Sequence, residues 1–298
     1  MNLSSRPRRW VLLAGLALLL AGALAPARAA PYEVADERGA AVRFEAPPQR
    51  VVSLLPSLTE TVCALGACDR VVGVDRYSNW PERVKALPQL GGGIDPNVEA
   101  IVRLRPDVVL LAQSSRVAQR LQSLGIKVIA LEPKNHADVR RVLAIVGRVL
   151  AVPPSQADAV WRDIEAGLAR AAASVPAHAR SARVYIEVSR GPYAAGEVSF
   201  IGETLARLGA KNIVPASLGP FPKLNPEFVV RANPDLIMVG NRTMQAEFNY
   251  PGWEAIRAVR EKRVCLFPND EAEIVVRPGP RMAEAAQLMA RCLAEKAP

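Results

Sequence analysis

One unbroken stretch of the chain has the spacing of apolar residues that is typical of a long amphipathic helix. Between Pro154 and Val175 the apolar positions recur at helical spacing, at Ala159, Trp161, Ile164, Leu168 and Ala172. Ser155 is placed to cap the N-terminus, and Asp158 lies in the predicted first turn, where the helix dipole favours an acid. At ~1.5 Å per residue, roughly 20 residues span about 30 Å, the width of a small domain. We therefore predict a strut, the helix over 154–175, between two lobes.

Two sixteen-residue segments, one on each side of the strut, repeat each other without a gap. Residues 97–112 read NVEAIVRLRPDVVLLA, and residues 225–240 read NPEFVVRANPDLIMVG, at an offset of 128. Six positions are identical: Asn97/Asn225, Glu99/Glu227, Val102/Val230, Arg103/Arg231, Pro106/Pro234 and Asp107/Asp235. Each segment predicts a short helix capped by asparagine, a stop at Pro-Asp, and a strand that is buried on both faces. The repeat indicates a duplicated α/β lobe.

The chain before this repeat predicts a strand followed directly by a helix. Residues 50–55 form an apolar run, Pro56 turns the chain, and residues 57–60 (SLTE) have the pattern of a capping box. In open α/β sheets, ligands bind at the C-terminal edge of the strands, which makes Pro56 and Ser57 candidate ligand contacts. The predicted fold class is α/β, with two similar lobes, each with a central, mostly parallel sheet flanked by helices, joined by one long rigid helix. The predicted parts are an N-terminal lobe over 31–134, a helical connection over 135–180 and a C-terminal lobe over 181–298.

The first thirty residues have the pattern of a secretory signal peptide. Arg8 and Arg9 precede an apolar stretch over 10–24, and residues 27–29 (ARA) form a small-x-small cleavage site. The apolar stretch is short for a membrane span, which needs ~20 residues. No cysteine follows it until Cys63, so lipid attachment at a new N-terminus is not expected. We predict cleavage near residue 30 and export to the periplasm.

Composition narrows the classes of partner. The net charge of the 298-residue chain is +9, and four of the arginines lie in the leader, which leaves +5. No block of like charges and no nucleic-acid-binding motif occurs, so we expect a solvated surface and no nucleic-acid partner. The remaining chain of about 270 residues is long enough for two lobes with substantial cores. We expect a monomer.

Four cysteines in an exported protein favour disulfide bonds. Cys63 and Cys68 are five residues apart across a predicted helix end, Cys265 lies in an apolar run, and Cys292 lies on the last helix. We predict the pairs Cys63–Cys68 and Cys265–Cys292, although spacing alone leaves other pairings open. The two histidines are not near a cysteine, and no GxSxG, HExxH or P-loop occurs. We therefore predict no metal site, no resident cofactor and no enzymatic activity.

Aromatic residues cluster on loops that follow predicted strands. In the first half, the loop over 75–81 (DRYSNWP) carries Tyr77 and Trp80 in a predicted rim of exposed aromatic and polar groups. In the second half, Tyr193 and Phe221 lie on loops. Aromatic residues directly after a strand contact ligands more often than they join the core. The two sets predict a ligand cleft between the lobes.

The chain resembles the type III periplasmic binding proteins of ABC importers, the family that takes up cobalamin, iron-siderophores and haem. The resemblance covers nearly the whole mature chain, and it is carried by RVVSLLPSLTETVCALGACDRVVGVDRYSNWP, NVEAIVRLRPDVVLLA, the strut, PYAAGEVSFIGETLARLGAKNIV and VVRPGPR. It is greatest to the cobalamin-binding branch. The resemblance implies a small-molecule chelate held between two lobes with little closure, and delivery of that chelate to an ABC permease dimer.

The resemblance also implies roles for individual residues. Tyr77 falls where the family stacks an aromatic ring on the corrin, and Tyr193 and Phe221 fall on aromatic positions of the other lobe. Asp270, Glu271 and Glu273 are the candidates for the single ligand-facing acid, and we include Glu273 among the expected contacts. The expected ligand contacts are Pro56, Ser57, Tyr77, Trp80, Tyr193, Phe221, Glu273 and Arg277.

Two glutamates, Glu99 and Glu227, match the pair, one per lobe, that docks into arginines of the permease. Two tryptophan positions of the cobalamin cleft hold Gly93 and Ala112 here, which keeps other chelates open. Haem would use Tyr77 or Tyr193 as an axial ligand. A siderophore would pair its oxygens with basic side chains, namely Arg76, Arg190, Lys223 and Arg277. A zinc or manganese receptor would need histidines in the cleft, and none is expected there.

Overall fold

A hairpin and a four-stranded parallel sheet form the N-terminal lobe. The structure is a computed structural model that describes residues 30–240 and 250–298, so most of the predicted signal peptide lies outside the described residues. The strands are β1 (Tyr32–Ala35), β2 (Ala41–Phe44), β3 (Val51–Ser53), β4 (Val71–Val74), β5 (Val108–Leu111) and β6 (Val128–Ala130). Strands β1 and β2 pair antiparallel, and the parallel sheet has the order β4-β3-β5-β6. The four parallel strands are apolar and mostly valine, because both faces of their sheet are covered.

The C-terminal lobe repeats this sheet with one added strand. Its strands are β7 (Arg183–Ser189), β8 (Tyr193–Ala194), β9 (Lys211–Asn212), β10 (Leu236–Val239) and β11 (Val264–Leu266). The order is β11-β10-β7-β8, and β9 also pairs with β7. All neighbours are parallel except β8, which returns antiparallel along β7. The prediction of two similar, mostly parallel sheets is confirmed.

Helices cover both faces of the two sheets. Those of the N-terminal half are α1 (Pro56–Ala64), α2 (Val98–Arg103), α3 (Ala118–Ser123), α4 (His136–Leu150) and α5 (Pro154–Ser174). Those of the C-terminal half are α6 (Phe200–Arg207), α7 (Pro226–Ala232), α8 (Arg257–Arg260), α9 (Asn269–Val275) and α10 (Met282–Lys296).

The predicted duplication is present down to single hydrogen bonds. Strands β5 and β10 occupy the same positions of the repeat at an offset of 128. Asp107 Oδ2 accepts from Arg50 N at 2.9 Å, and Asp235 Oδ2 accepts from Arg183 N at 2.9 Å. In return, Asp107 N donates to Arg50 O and Asp235 N donates to Arg183 O, both at 2.8 Å. Each aspartate thus clamps the start of its strand to the start of the neighbouring strand.

The strut α5 has nearly the predicted bounds, but its start differs from the prediction. Pro153 is the N-cap residue, Pro154 is the first helical residue, and no side chain caps the helix. Ser155 therefore lies inside the helix, and Asp158 lies beyond the first turn. The cap prediction is wrong because proline suits the first helical position, where its missing N–H has no intrahelical partner to lose.

The largest hydrophobic core is continuous through both lobes and the strut. It includes Val108 of the first sheet, Ile164 and Leu168 of α5, and Leu236 of the second sheet. Gly167 lets α5 approach α10 closely, because a Cβ atom at this position would lie 2.3 Å from the Cβ of Ala283. The opposite face of each sheet has a separate core. The lobes are therefore joined by packing as well as by the chain.

Candidate functional site

The loops that follow the parallel strands of one lobe face the corresponding loops of the other lobe. Phe200 N, at the start of α6, donates to Lys134 O after β6 at 2.7 Å. Elsewhere along the same junction, Arg277 Nη2 donates to Tyr77 O after β4 at 2.9 Å. Both acceptors follow the C-terminal ends of strands of the first sheet, and ligands bind at this edge in open α/β folds. The cleft between the lobes at this edge is the candidate site.

Tyr77 provides the exposed aromatic surface on the N-terminal wall of the cleft. Its side chain is 59% exposed, and the guanidinium carbon of Arg76 lies 6.0 Å from its ring centroid. Arg76 Nη2 also pairs with Asp95 Oδ2 at 2.7 Å. The predicted exposed rim over 75–80 is only partly correct, since Arg76 and Tyr77 are exposed and Asp75 is buried.

A buried polar ladder fixes the turn that presents Tyr77. The Asp75 carboxylate accepts hydrogen bonds from Tyr77 N at 2.9 Å and from Ser78 Oγ. Thr59 Oγ1 of α1 lies 2.9 Å from Ser78 Oγ and 2.8 Å from Ser53 Oγ at the end of β3. Burial raises the pKa of Asp75, and the bonds from Ser78 and Tyr77 oppose that rise. The sequence analysis missed these hydrogen bonds. Their one signal in the sequence is Ser53, which ends a buried strand six residues before Thr59.

Tyr193 and Phe221 provide the aromatic surface on the C-terminal wall. Tyr193 is 40% exposed and Phe221 is 37% exposed. Strand β8, which the duplicated N-terminal lobe lacks, carries Tyr193 and forms a β-bridge with Lys223. The Lys223 ammonium nitrogen lies 5.9 Å from the centroid of the Tyr193 ring. The buried ring of Phe200 supports Phe221, with 5.9 Å between centroids.

A buried carboxyl group lies behind the Tyr193 loop. Glu187, on β7, accepts a hydrogen bond from Tyr250 Oη at 2.6 Å and one from Tyr185 Oη at 3.3 Å. Burial raises the pKa of Glu187 to about 7, although both phenols oppose the rise. Tyr250 Oη also accepts from Gly191 N at 3.1 Å, which ties this carboxyl group to the loop before Tyr193. The sequence analysis did not single out either group.

Arg277 clamps the two lobes together at one side of the cleft. Its guanidinium donates to Glu60 Oε1 at 2.9 Å, to Asn79 Oδ1 at 2.8 Å and to Glu273 Oε2 at 3.1 Å. Asn79 Nδ2 donates in turn to Glu273 Oε2 at 2.5 Å. Burial raises the pKa of Glu60, and the charge of Arg277 opposes the rise. The Arg277 side chain is itself buried, and the hydrogen bonds given above all go to other groups of the protein.

Trp80 and the three acids that are candidate ligand contacts differ in exposure and in partners. Trp80 is half-buried beneath Arg281, whose guanidinium carbon lies 5.0 Å from the ring centroid. Of the three candidate acids, Glu273 reaches the opposite lobe, whereas Glu271 pairs with Arg291 at 2.6 Å and Asp270 is exposed at the start of α9.

The turn at Pro56 and Ser57 does not form the predicted capping box. Pro56 begins α1, Leu55 is the N-cap residue, and no side chain caps the helix. The prediction is wrong because Pro56 takes the first helical position, which moves Ser57 inside the helix. Glu60 is then free to reach Arg277 instead of the helix terminus. Ser57 is buried against Gly279 of the other lobe, and its Oγ atom has no hydrogen-bond partner within the described residues.

Glu99 and Glu227 are exposed to solvent at equivalent positions of the two lobes. Each is exposed in the first turn of a short helix, α2 or α7. Asn97 Oδ1 accepts from Ala100 N at 2.9 Å, and Asn225 Oδ1 accepts from Glu227 N at 3.0 Å, which confirms the predicted asparagine caps.

Both predicted disulfide bonds are present. Cys63–Cys68 joins the end of α1 to the next turn, and Cys265–Cys292 joins β11 to α10. Across residues 30–240 and 250–298, no cluster of three or more His, Cys, Asp or Glu side chains is placed to bind a metal ion. In the same part of the chain, no helix has both the length and the apolar character needed to cross a membrane.

Comparison with known protein families decides the class. A family model described as "Periplasmic binding protein" matches residues 51–271, which is most of the chain. This chain belongs to the periplasmic binding protein family. Its two parallel-sheet lobes, with the candidate site between them, are the architecture of the type III proteins of this family.

Three similar proteins place this periplasmic binding protein among the substrate-binding proteins of ABC transporters. An uncharacterized ABC transporter substrate-binding lipoprotein of Bacillus subtilis is 29% identical over 95% of this chain and 96% of its own length. A cobalamin-binding protein of Halobacterium salinarum is 32% identical over 74% of this chain and 64% of its own length. A periplasmic heme binding protein from Pseudomonas aeruginosa is similar in structure, with a TM-score of 0.72 and 26% identity, over 84% of this chain and 94% of that one. All three are named for the binding of a substrate or ligand.

Proposed function

We propose that this periplasmic binding protein holds a corrinoid, cobalamin, in the cleft between its lobes and delivers it to an ABC importer. The observation that carries the proposal is the exposure of three aromatic side chains, Tyr77 in the N-terminal lobe and Tyr193 and Phe221 in the C-terminal lobe. Stacking on a flat ligand contributes about 0.5–1.5 kcal/mol per aromatic pair beyond the burial of area. The similarity to a cobalamin-binding protein of Halobacterium supports this choice of ligand.

The remaining predicted contacts fit a supporting role in this proposal. Trp80, Glu273 and Arg277 hold the loop that presents Tyr77, through the contacts described above. Pro56 and Ser57 form the turn beneath that loop, at the C-terminal end of β3. The proposed ligand surface therefore consists of aromatic rings held in place by buried polar side chains. We propose that the protein acts as a monomer in the periplasm.

A second candidate ligand is haem or a ferric siderophore. The observation that favours it is the pair of cations beside the cleft tyrosines, Arg76 beside Tyr77 and Lys223 beside Tyr193. Such cations suit the carboxylate or other oxygen donors of an anionic chelate. A tyrosine can also serve as an axial ligand of haem iron.

Titration calorimetry and visible absorption with cyanocobalamin, haemin and a ferric siderophore test these candidates. We expect saturable heat and protection against thermal unfolding with cyanocobalamin. Tyr77→Ala and Tyr193→Ala should each weaken binding several-fold, and Leu124→Ala, which changes an exposed residue outside the cleft, should not. The absence of heat and of protection would refute the corrinoid, and a new absorption band with haemin alone would favour the second candidate.

The proposed route of delivery is docking of Glu99 and Glu227 onto the two subunits of the importer's permease dimer. Both carboxylates are exposed at equivalent positions of the repeat, so one two-fold partner can meet both. Arginine and carboxylate form bidentate bonds that fix orientation. In cells that carry Glu99→Ala with Glu227→Ala, we expect uptake of radiolabelled cyanocobalamin to be lost, while affinity and melting temperature of the purified protein are retained. Retained uptake would reject this route.

A further inference from the structure

The six identical residue pairs of the duplicated segment fall into two groups according to the contacts that they make. Three pairs have structural roles. The asparagines cap the helices, the aspartates clamp neighbouring strands, and the prolines follow the left-handed residues Arg105 and Asn233 that end the helices. The other three pairs are Glu99/Glu227, Val102/Val230 and Arg103/Arg231.

In each lobe, the glutamate and the arginine of these three pairs lie on the outward face of their helix. On the inward face, Ile101 of α2 and Val229 of α7 are fully buried. A helix turns about 100° per residue, so positions two before and two after the buried residue lie roughly 160° away from it. Glu99 and Arg103 are therefore neighbours on the solvent side, as are Glu227 and Arg231 at equivalent positions.

The exposure of these charges argues against a structural role. The Arg231 Nη1 and Glu227 Oε2 atoms are 4.0 Å apart, with side chains that are 73% and 75% exposed. Exposed pairs at this spacing contribute only about 0.3–0.5 kcal/mol to stability. The valines differ, since Val102 is 41% exposed, whereas Val230 is partly buried against the core on the second sheet.

Complementarity to the helix dipole explains the signs of these charges but not their repetition. An acid in the first turn and a base in the last turn are each worth about 0.3–1 kcal/mol. Helices α4 and α6 also carry an acid in the first turn and a base in the last, whereas α1 has neither charge and α3 has no acid in its first turn. A shared partner explains why both lobes carry the same charges at the same places.

We propose that α2 and α7 carry two equivalent bipolar docking patches, in which Arg103 and Arg231 act together with Glu99 and Glu227. The inference rests on the proposed docking to a permease dimer and adds a second charge to each contact. Each permease subunit would present an acidic side chain to the arginine as well as a basic one to the glutamate. With opposite charges one turn apart, a patch bound in the reverse direction would bring like charges together, which specifies direction as well as affinity.

The test measures binding of labelled, purified protein to right-side-out membrane vesicles from cells that lack the gene for this protein. Saturable binding of the wild-type protein, competed by unlabelled protein, is the reference. We expect Arg103→Glu with Arg231→Glu to weaken binding at least tenfold, as Glu99→Ala with Glu227→Ala does, and each single arginine change to have a smaller effect. Arg162→Glu with Arg170→Glu, on exposed positions of α5, makes the same charge change and should bind like the wild type.

The outcomes separate this inference from the proposed function. Wild-type binding by the arginine double variant, with binding lost in the glutamate double variant, would overturn the bipolar patch and leave the glutamate docking intact. If the wild-type protein shows no saturable binding, both fail. Equal binding to protein-free liposomes of the extracted lipids would show that the arginines contact anionic headgroups, which also overturns the proposal. A melting temperature that falls in the arginine variant but not in the control would assign the arginines a structural role.

Discussion

At the residue scale, buried polar groups determine where the exposed rings of the cleft are presented. Asp75 and Ser78 hold the turn that contains Tyr77, and Glu187 with Tyr250 holds the loop before Tyr193. Each carboxyl group is buried and accepts hydrogen bonds, because burial of a polar group without a hydrogen-bond partner costs free energy. In both lobes, a buried and hydrogen-bonded carboxyl group therefore holds the backbone beside an exposed ring. Substitution of Asp75 or Glu187 is expected to lower the stability of the protein.

Glu187 makes stability depend on pH near neutrality. Its pKa in the folded protein is about 7, above the ordinary 4.5, so the folded state binds more protons between these values. The stabilisation is therefore fully present below the unfolded pKa and is lost as pH rises through about 7. Thermal unfolding from about pH 5 to about pH 8 should show the wild type losing stability relative to Glu187→Gln, which cannot ionise. Parallel pH profiles of the two proteins would contradict this assignment.

Arg105 is a position at which a substitution is expected to stabilise the protein. Its φ of 46° is left-handed, and its repeat equivalent, Asn233, has a φ of 44°. This conformation costs most L-residues roughly 1–2 kcal/mol, whereas asparagine adopts it more easily. Arg105→Asn should raise the free energy of unfolding by up to about 1 kcal/mol, measured by denaturant titration. The reverse change, Asn233→Arg, should destabilise, and more strongly because Asn233 Oδ1 also accepts from Arg257 N. A loss of stability in Arg105→Asn would show that the side chain matters more than the backbone.

At the scale of elements, the helices α1 and α6 are equivalent, and each receives a bond from the opposite lobe. Residues 59–67 (TETVCALGA) and 202–210 (GETLARLGA) align at an offset of 143. Glu60 accepts from Arg277, and the equivalent Glu203 accepts from His136 N at 2.7 Å. The next residue, Thr204, lies 2.9 Å from His136 Nε2. The interface between the lobes thus contains a pair of glutamate latches, one from each copy.

The Arg277 latch should be the more costly to break because both of its charges are buried. Arg277→Met leaves Glu60 buried without its cation, which typically costs about 3–5 kcal/mol. Arg277→Lys should recover part of the loss, since a single ammonium reaches fewer of the acceptors. Arg291→Met, which removes an exposed pair with Glu271, should cost at most about 1 kcal/mol. Equal melting temperatures for Arg277→Met and Arg291→Met would show that the latch adds little.

Elements with a strong local pattern were predictable from the sequence, whereas contacts between distant segments were not. The strut, the repeated helices and strands, and both disulfide pairs are confirmed. The Glu60–Arg277 latch joins residues 217 positions apart, and no periodicity encodes such a pairing. The serine caps at Ser57 and Ser155 failed for one shared reason, a preceding proline that itself begins the helix. Of the candidate site, the sequence indicated the exposed rings but not the buried groups behind them.

At the scale of the whole molecule, the shared core and the latches limit relative motion of the lobes. The core passes from Val108 through Ile164 and Leu168 of the strut to Leu236. Closing the lobes would have to shear this packing, whereas hinged proteins concentrate the change in a few loop residues. We therefore treat the cleft as preformed.

Small-angle scattering tests this rigidity. The radius of gyration should be the same within error for the empty protein and for the protein saturated with the chelate that calorimetry identifies. An Arg277→Met variant, in which a latch is removed, is the control for sensitivity to lobe movement. A clear contraction of the wild-type protein on binding would contradict the rigid strut.

A cleft with fixed walls has a consequence for competition at the membrane. If the lobes keep their spacing, Glu99 and Glu227 stay equally far apart in the empty and the loaded protein, and in the proposed docking the importer meets the same surface in both. Empty protein then occupies importers as readily as loaded protein does. Uptake would depend on the ratio of filled to empty receptor as well as on affinity for the ligand, and cells that overproduce the receptor when the ligand is scarce would slow their own import.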